Sequence, residues 1–264
     1  MALEAGAAPL PLTLATVTLA GVLALAWLLL RQGTAWLRQP SSDAWLNVLL
    51  VGAFGSGAVV LLGVLAMTTT SATNRGLFQA MYPVATAIAA RLMLGERLAG
   101  SSYAIIAGMT GGLLLMFWRD GELALGPSFY LLLGTLPLIG LADVWAKRTL
   151  GDADAGFVTV GRLLAGALVL SLTLPLISAE QWAGLEASAG WVALAGVAMA
   201  AGLLGLYRAM DVAGASRAAA FAAMAPVATA VLESLLLGLS LGPLQLAGMA
   251  LVVVGAVILA YRLE

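Results

Sequence analysis

Five polar side chains line up in a stretch that is unusually polar for a buried helix. Ser71, Arg75, Gln79, Tyr82 and Thr86 follow one another at intervals of 4, 4, 3 and 4 residues, a spacing that puts them on one face of a helix. Arg75 is the most expensive of them in a bilayer, at about 2.5–3.5 kcal/mol if it sat at the centre on insertion scales. Its natural ligand is a carboxylate or phosphate. Near the outer end of a helix it can instead snorkel to water or hold a structural ion pair. The residues 143 positions later are Gly214, Ala218, Ala222, Ala225 and Thr229, a nearly smooth face. A polar stripe opposed to a smooth one suits a solute site. Arg75, Gln79, Tyr82, Thr86 and Thr229 are its expected contacts, with Tyr207 and Phe221 as aromatic lining or plain packing.

Other residues have a mechanical or ionic reading. Pro83 and Pro226 fall inside apolar runs, where each removes a backbone hydrogen bond and kinks its helix. In a membrane that is tolerated when the freed carbonyl meets a cavity or a hydroxyl. Glu233 is read as a gating or structural acid that pairs with Arg75, or alternatively binds a coupling proton. Asp143 is a second candidate for gating or coupling, although Lys147 four residues on makes a local ion pair the plainer expectation. Arg162 lies less than two turns into its helix and is expected to reach the surface. Glu96 and Arg97 are expected in a short link that they help to fix. Cys and His are both absent, which excludes thiolate metal centres, disulfides and any His-based triad or relay. No metal site and no cofactor is expected, and no phosphate-binding G-x-x-x-x-G-K-[ST] loop is present.

The elements that must carry these residues follow from composition. Apolar residues make up 62% of 264 and charged ones 9%, against roughly 45–50% and about 25% in soluble domains, so the chain is nearly all membrane span. Nine runs are long enough to cross, at 10–31, 45–66, 70–93, 101–118, 127–147, 157–177, 190–210, 214–237 and 243–262. Lys and Arg resist translocation. Arg31, Arg38, Arg91, Arg97, Lys147, Arg148, Arg208, Arg217 and Arg262 all fall on one side of a nine-span chain, while Asp120, Glu122, Glu180 and Glu186 fall on the other, with Arg119 as the exception. That places the C-terminus in the cytoplasm and the N-terminus outside. The first nine residues hold one charge, Glu4, and no Lys or Arg, so no signal peptide is expected. A net charge of −1 offers nothing to nucleic acid.

The chain also repeats itself. Shifted by 143 positions, Ala80-Met81-Tyr82-Pro83-Val84-Ala85-Thr86-Ala87 falls on Ala223-Met224-Ala225-Pro226-Val227-Ala228-Thr229-Ala230, and Met67–Arg119 matches Met210–Arg262 at 18 of 53 positions. The copies are five spans apart, and an odd separation makes them enter the membrane in opposite directions. Inverted repeats of this kind are a recurrent plan of secondary transporters, with the solute site between them. Some channels share it.

At these residues the chain resembles the drug/metabolite transporter superfamily, specifically its EamA-type members. The likeness runs through Thr73 to Pro83-Val84, Leu94-Gly95-Glu96-Arg97, and Gly108 to Gly112. It continues in the second copy through Tyr207-Arg208-Ala209-Met210, Gly214-Ala215-Ser216-Arg217, Pro226-Val227, and Gly248 to Gly255, and covers roughly residues 45–262. The resemblance implies an all-α polytopic membrane bundle of five plus five helices that moves small metabolites by alternating access. Two departures stand out. Gly238-Leu239-Ser240 replaces the acidic Gly-Glu in the second copy, and nine spans are found where the family has ten. Under the shift, the fifth span, 127–147, has no partner, so the family's first helix is expected to be absent from a first repeat at 1–122, against five spans in a second repeat at 123–264. The chain is then a true nine-span variant, or its start is incomplete, or a second subunit fills the gap.

The leading expectation is an inner-membrane secondary transporter or exporter of an amino-acid-like or other small polar or amphiphilic solute, acting as monomer or homodimer in the lipid bilayer. An enzyme is disfavoured because convergent acids, bases and nucleophiles are missing. A flippase of a lipid-linked carrier on the same fold, or a non-transporting membrane subunit, are the alternatives. An intramembrane Arg argues against the last.

Overall fold

Prolines, serines and acids at the ends of the oily runs set where each helix starts. The computed structural model describes residues 8–37, 40–67, 72–117, 127–238 and 240–261, and the described parts are helices and short links. Helix α1 (Pro9–Gln32) opens on prolines, whose missing N–H costs nothing in a first turn, and stops at Gly33. Helix α2 (Ser42–Gly52) is capped by the Ser41 hydroxyl, which accepts from Ala44 N–H at 3.1 Å. It then widens into a π-helical turn (Ala53–Ala58) and continues as α3 (Val59–Met67). Next come α4 (Ala72–Met93), α5 (Gly100–Phe117) and α6 (Pro127–Thr149). Helix α7 (Ala155–Ser171) is capped by Asp154, and the short α8 (Ala179–Ala183) leads to α9 (Ala189–Ala213). Helices α10 (Ala215–Ala222), α11 (Ala225–Leu237) and α12 (Pro243–Tyr261) complete the chain.

Five of these segments are long and apolar enough to cross a membrane by length and composition: Pro9–Gln32, Ser42–Ala66, Pro127–Thr149, Ala189–Ala213 and Ala215–Leu232. Four shorter apolar helices, Ala80–Met93, Gly100–Met116, Ala155–Ser171 and Pro243–Leu259, stand between and after them. Each of the nine runs read from the sequence is therefore occupied by helix. The second proline behaves differently from the first. Pro83 stays inside continuous α4, whereas the chain breaks at Ala223–Met224 and Pro226 restarts it in the first turn of α11.

The 143-residue shift carries helix ends onto helix ends. The first residue of α4, Ala72, falls on Ala215 of α10, and Gly100 of α5 falls on Pro243 of α12. Helix α6 has no mate among the described residues. The two copies are interleaved rather than side by side. One core is shared by α1, α2, α7 and α9, around Leu28, Val48, Leu163, Leu170 and Met210. A second is shared by α4, α5, α10, α11 and α12, around Met109, Leu113, Val252 and Leu259. In that second core α5 and α12 meet almost backbone to backbone: a Cβ at Gly112 would lie 2.7 Å from the Gly248 carbonyl oxygen. Such glycines let helices approach closely where no aqueous driving force exists. Gly202 and Gly205 face open space instead.

Helix α6 lies between the two bodies and ties their ends. The Lys147 ammonium donates to the carbonyls of Met210 and Asp211 at the end of α9, at 2.7 and 3.1 Å, and Arg148 donates to the Met93 carbonyl at the end of α4 at 3.1 Å. At the same end, Gln32 donates to Asp154 and Ser41 donates to Asp152. The link residues 33–37 and 40–41, the links at 94–99 and 150–154 and the corner at Gly214 therefore share one end of the bundle, called the link end below.

Candidate functional site

Between the two bodies the polar residues gather in two adjoining places. The first is a cavity of about 400 Å³ walled by Val59 and Gly63 of α3, Phe78 and Tyr82 of α4, Thr135 and Ile139 of α6, and Ala222 and Pro226 at the break before α11. It is apolar apart from the Tyr82 and Thr135 hydroxyls, and Thr135 already donates to the Leu132 carbonyl at 2.6 Å. Three smaller features follow from its wall. The helix break exposes Pro226 to it, Gly63 leaves space beside it, and no Lys, Arg, Asp or Glu is among its described lining residues.

The second place is a buried network on the link-end side of Tyr82. The π turn explains how it forms. The helix widens after Gly52 and turns the Gly55 carbonyl and the Ser56 hydroxyl toward α7, and π turns of this sort recur at functional sites. Arg162 of α7 fills the position. Its guanidinium donates through Nη2 to the Gly55 carbonyl at 3.2 Å, through Nε to the Ser56 hydroxyl at 3.0 Å, and through Nη1 to the Tyr207 hydroxyl at 2.7 Å. Asp143 of α6 stands opposite, with Oδ1 3.9 Å from Arg162 Nη1. Its Oδ2 accepts from the Thr86 hydroxyl at 2.6 Å, and the Tyr82 hydroxyl faces this carboxylate. Asp143, Thr86 and Tyr207 are fully buried, and Arg162 is only 6% exposed. The Asp143 Oδ1 atom has no hydrogen-bond partner. Charges in such a place persist only when paired and bonded.

The polar stripe of α4 is thus divided. Tyr82 touches both the cavity and Asp143, while Thr86, one turn on, serves Asp143 alone. Arg75 and Gln79 lie in the first turns of α4, with side chains outside the described residues, as is the side chain of Glu233; Ser71 lies outside them altogether. Tyr207 belongs to the Arg162 network rather than to the cavity wall. Phe221 packs at the edge of the second core, and Thr229 is exposed with its hydroxyl turned back to the Ala225 carbonyl at 3.0 Å.

Two sequence expectations change. Arg162 does not reach the surface, because the π turn and Ser56 receive it inside the bundle. Asp143 and Lys147 do not pair, because Lys147 reaches the carbonyls at the negative end of α9, where a cation is favoured, and leaves Asp143 to Thr86. The network is also one-sided: under the 143-residue shift Arg162 corresponds to Leu19 and Tyr207 to Val64.

Glu96 has a role the sequence only hinted at. Its carboxylate accepts from Ala215 N–H at 2.9 Å, Ser216 N–H at 3.2 Å and the Ser216 hydroxyl at 2.7 Å, so a residue of the α4–α5 link caps α10. A carboxylate satisfies the free N–H groups and the positive end of the helix together. Gly214, at φ +85°, turns the corner, and a Cβ there would come within 3.1 Å of Glu96 Oε1. Glu96→Ala is expected to lower stability by about 1–2 kcal/mol, read as an earlier thermal unfolding midpoint of the purified protein in detergent. An unchanged midpoint would show that the cap contributes nothing.

Comparison with known proteins supplies the context. The EamA-like transporter family matches residues 2–118 and 127–261. No curated protein matches the chain. Among solved structures, one described as a crystal structure of a protein is similar at TM-score 0.71 and 20% identity, over 99% of this chain and 91% of its own. That likeness is one of fold.

Proposed function

Because the chain belongs to the EamA-like transporter family, whose fold is an inverted-repeat membrane helix bundle, we propose that it is a secondary transporter whose solute passes through the cavity at Tyr82 and Pro226. The family is one of membrane transporters of small solutes, not of enzymes, and the protein is a multi-pass membrane protein. Beyond that, the reading is ours: repeats at about 1–122 and 123–264 give alternating access to the cavity.

The observation that carries this reading is the position of the cavity. It lies where α3 and α4 of one repeat meet the broken helix α10–α11 of the other, with α6 as a fourth wall. A rocking motion of one body against the other would open it first to one side and then to the other. Its wall selects for an amphiphilic solute. An apolar body fits Val59, Phe78 and Ile139, and a polar end meets the Tyr82 hydroxyl, with Arg75 and Gln79 of the same helix as the further contacts. A small amino-acid-like molecule satisfies both demands. In this reading the C-terminus lies in the cytoplasm of a cell whose inner membrane holds the protein, an orientation that the charge asymmetry of the links supports. The cavity then belongs to the outer half of the bundle, and the Arg162 network seals the inner half.

Gly63 provides the test. A Cβ there meets nothing within 4 Å, so Gly63→Trp is expected to fill the cavity without disturbing the fold. In proteoliposomes screened with a panel of amino acids and small amphiphiles, the wild-type protein should move at least one solute. The variant, reconstituted to the same level and with the same thermal midpoint, should move none. Undiminished flux through the variant would remove the cavity from the pathway.

A further inference from the structure

We propose that Asp143 is a proton-binding site, reached from the cavity through the Tyr82 hydroxyl. The inference rests on the transport reading for its meaning, but the site itself is argued from the network alone.

The geometry leaves this acid only loosely paired with its arginine. Arg162 spends its close hydrogen bonds on Ser56, Gly55 and Tyr207, and reaches Asp143 only at 3.9 Å. The carboxylate is held on one oxygen by Thr86, and the other oxygen has no donor although no solvent reaches it. A charged carboxylate with an unfilled oxygen in an apolar bundle is costly, and so is an arginine left without its counter-charge. Charged and neutral forms of Asp143 therefore each forfeit something, which is the balance a reversible proton site needs.

Access is the second requirement. Tyr82 lines the cavity and its hydroxyl faces Asp143. Its hydroxyl can pass its own proton to the carboxylate while taking another from the cavity side, so no net charge stays on the phenol. The surroundings contain few competitors. From α4 the ionisable group facing Asp143 is Tyr82, from α7 it is Arg162, and from α9 it is Tyr207. The π turn offers only the Ser56 hydroxyl, α3 has no ionisable residue, and Lys147 on α6 itself is bonded to the end of α9. Asp143 also joins the two bodies, since Tyr82 and Thr86 belong to one while Arg162 and Tyr207 belong to the other. A proton on it weakens the electrostatic tie between them, and so links proton binding to their relative movement.

Infrared difference spectroscopy of the full chain in lipid nanodiscs, with aspartate labelled at its carboxyl carbon, reads the site without a transported solute. A carboxylic-acid band should grow as pH is lowered and fade as it is raised. It should vanish in Asp143→Asn and persist in Asp152→Asn, whose carboxylate lies in an exposed link. Should Asp143→Asn fail to fold, Asp143→Glu supplies the assignment, because the band must then leave the labelled-aspartate position. Tyr82→Phe should keep the band and slow its appearance after a pH jump by about a hundredfold, the lower end of what a placed proton-transfer group contributes. Absence of a titrating band, a band that survives both Asp143 variants, or an undiminished rate in Tyr82→Phe each overturns the proposal. These results do not depend on Gly63→Trp, so a failed proton site and a failed transport pathway are told apart.

Discussion

Arg162→Met is expected to cost the folded bundle about 3–5 kcal/mol, the size of effect seen when one partner of a buried charged pair is removed. Methionine is close to arginine in length and tolerates an irregular space, so the loss is electrostatic rather than a matter of volume. The Gly55 carbonyl, the Ser56 and Tyr207 hydroxyls and the Asp143 carboxylate all lose their cation in one step. The measurement is the thermal midpoint of the purified protein in detergent, beside Arg162→Met combined with Asp143→Asn. The double variant should recover part of the loss, because it removes the stranded carboxylate along with the arginine. A single variant as stable as the wild type, or a double variant whose losses simply add, would show that the two residues do not act as a pair.

Gly52→Val should be nearly as severe. A Cβ at Gly52 would lie 2.7 Å from the Arg162 carbonyl oxygen and 3.0 Å from that of Gly161. Those atoms are helix backbone and cannot swing aside as a side chain does. The valine must push α2 from α7 at the turn where Arg162 enters the π segment, so overpacking of about 1–3 kcal/mol comes with partial loss of the Arg162 bonds. Little folded protein should be recovered after size-exclusion chromatography, and Gly52→Ala should fall between. Gly108 is the control, because a Cβ there meets nothing within 4 Å. Gly108→Ala should change stability by no more than about 0.5 kcal/mol, as surface substitutions usually do. Equal loss in both variants would mean that close packing at Gly52 is not the cause.

What could be read from the sequence, and what could not, divides along a physical line. The helices follow from runs of apolar residues, so the spans were visible, but not all their ends: α2 starts at Ser42 rather than 45, α7 stops at Ser171 rather than 177, and the eighth run is broken at Ala223–Met224. The repeat was visible too, because Pro83-Val84-Ala85-Thr86-Ala87 and its copy carry the same side chains. The π turn was not. Nothing in Ala53-Phe54-Gly55-Ser56-Gly57-Ala58 marks an extra residue in the turn, apart from Gly55 and Ser56, which prove to face Arg162, and Gly57, which packs on Val169. Without it, an arginine near a helix start reads as a residue on its way to water. Lys147 was misread for a related reason. Spacing along one helix suggested Asp143 as its partner, but the carbonyls that hold it come from the end of α9, 63 residues away in sequence. Thr86 and Tyr82 share a face by spacing, yet Asp143 of a neighbouring helix takes one of them out of the cavity. Local periodicity places a residue on a helix, and only packing tells which neighbour it meets.

The substitution of Leu19 and Val64 for Arg162 and Tyr207 in the other copy gives the bundle two unlike doors. One carries directional bonds among a cation, an acid and hydroxyls, whereas the matching positions of its counterpart carry apolar side chains with no preferred orientation. In the alternating-access cycle proposed above, such a difference would make the free-energy landscape lopsided: an unloaded protein would rest with its bolted door shut, and returning to that posture would be the downhill half of the cycle.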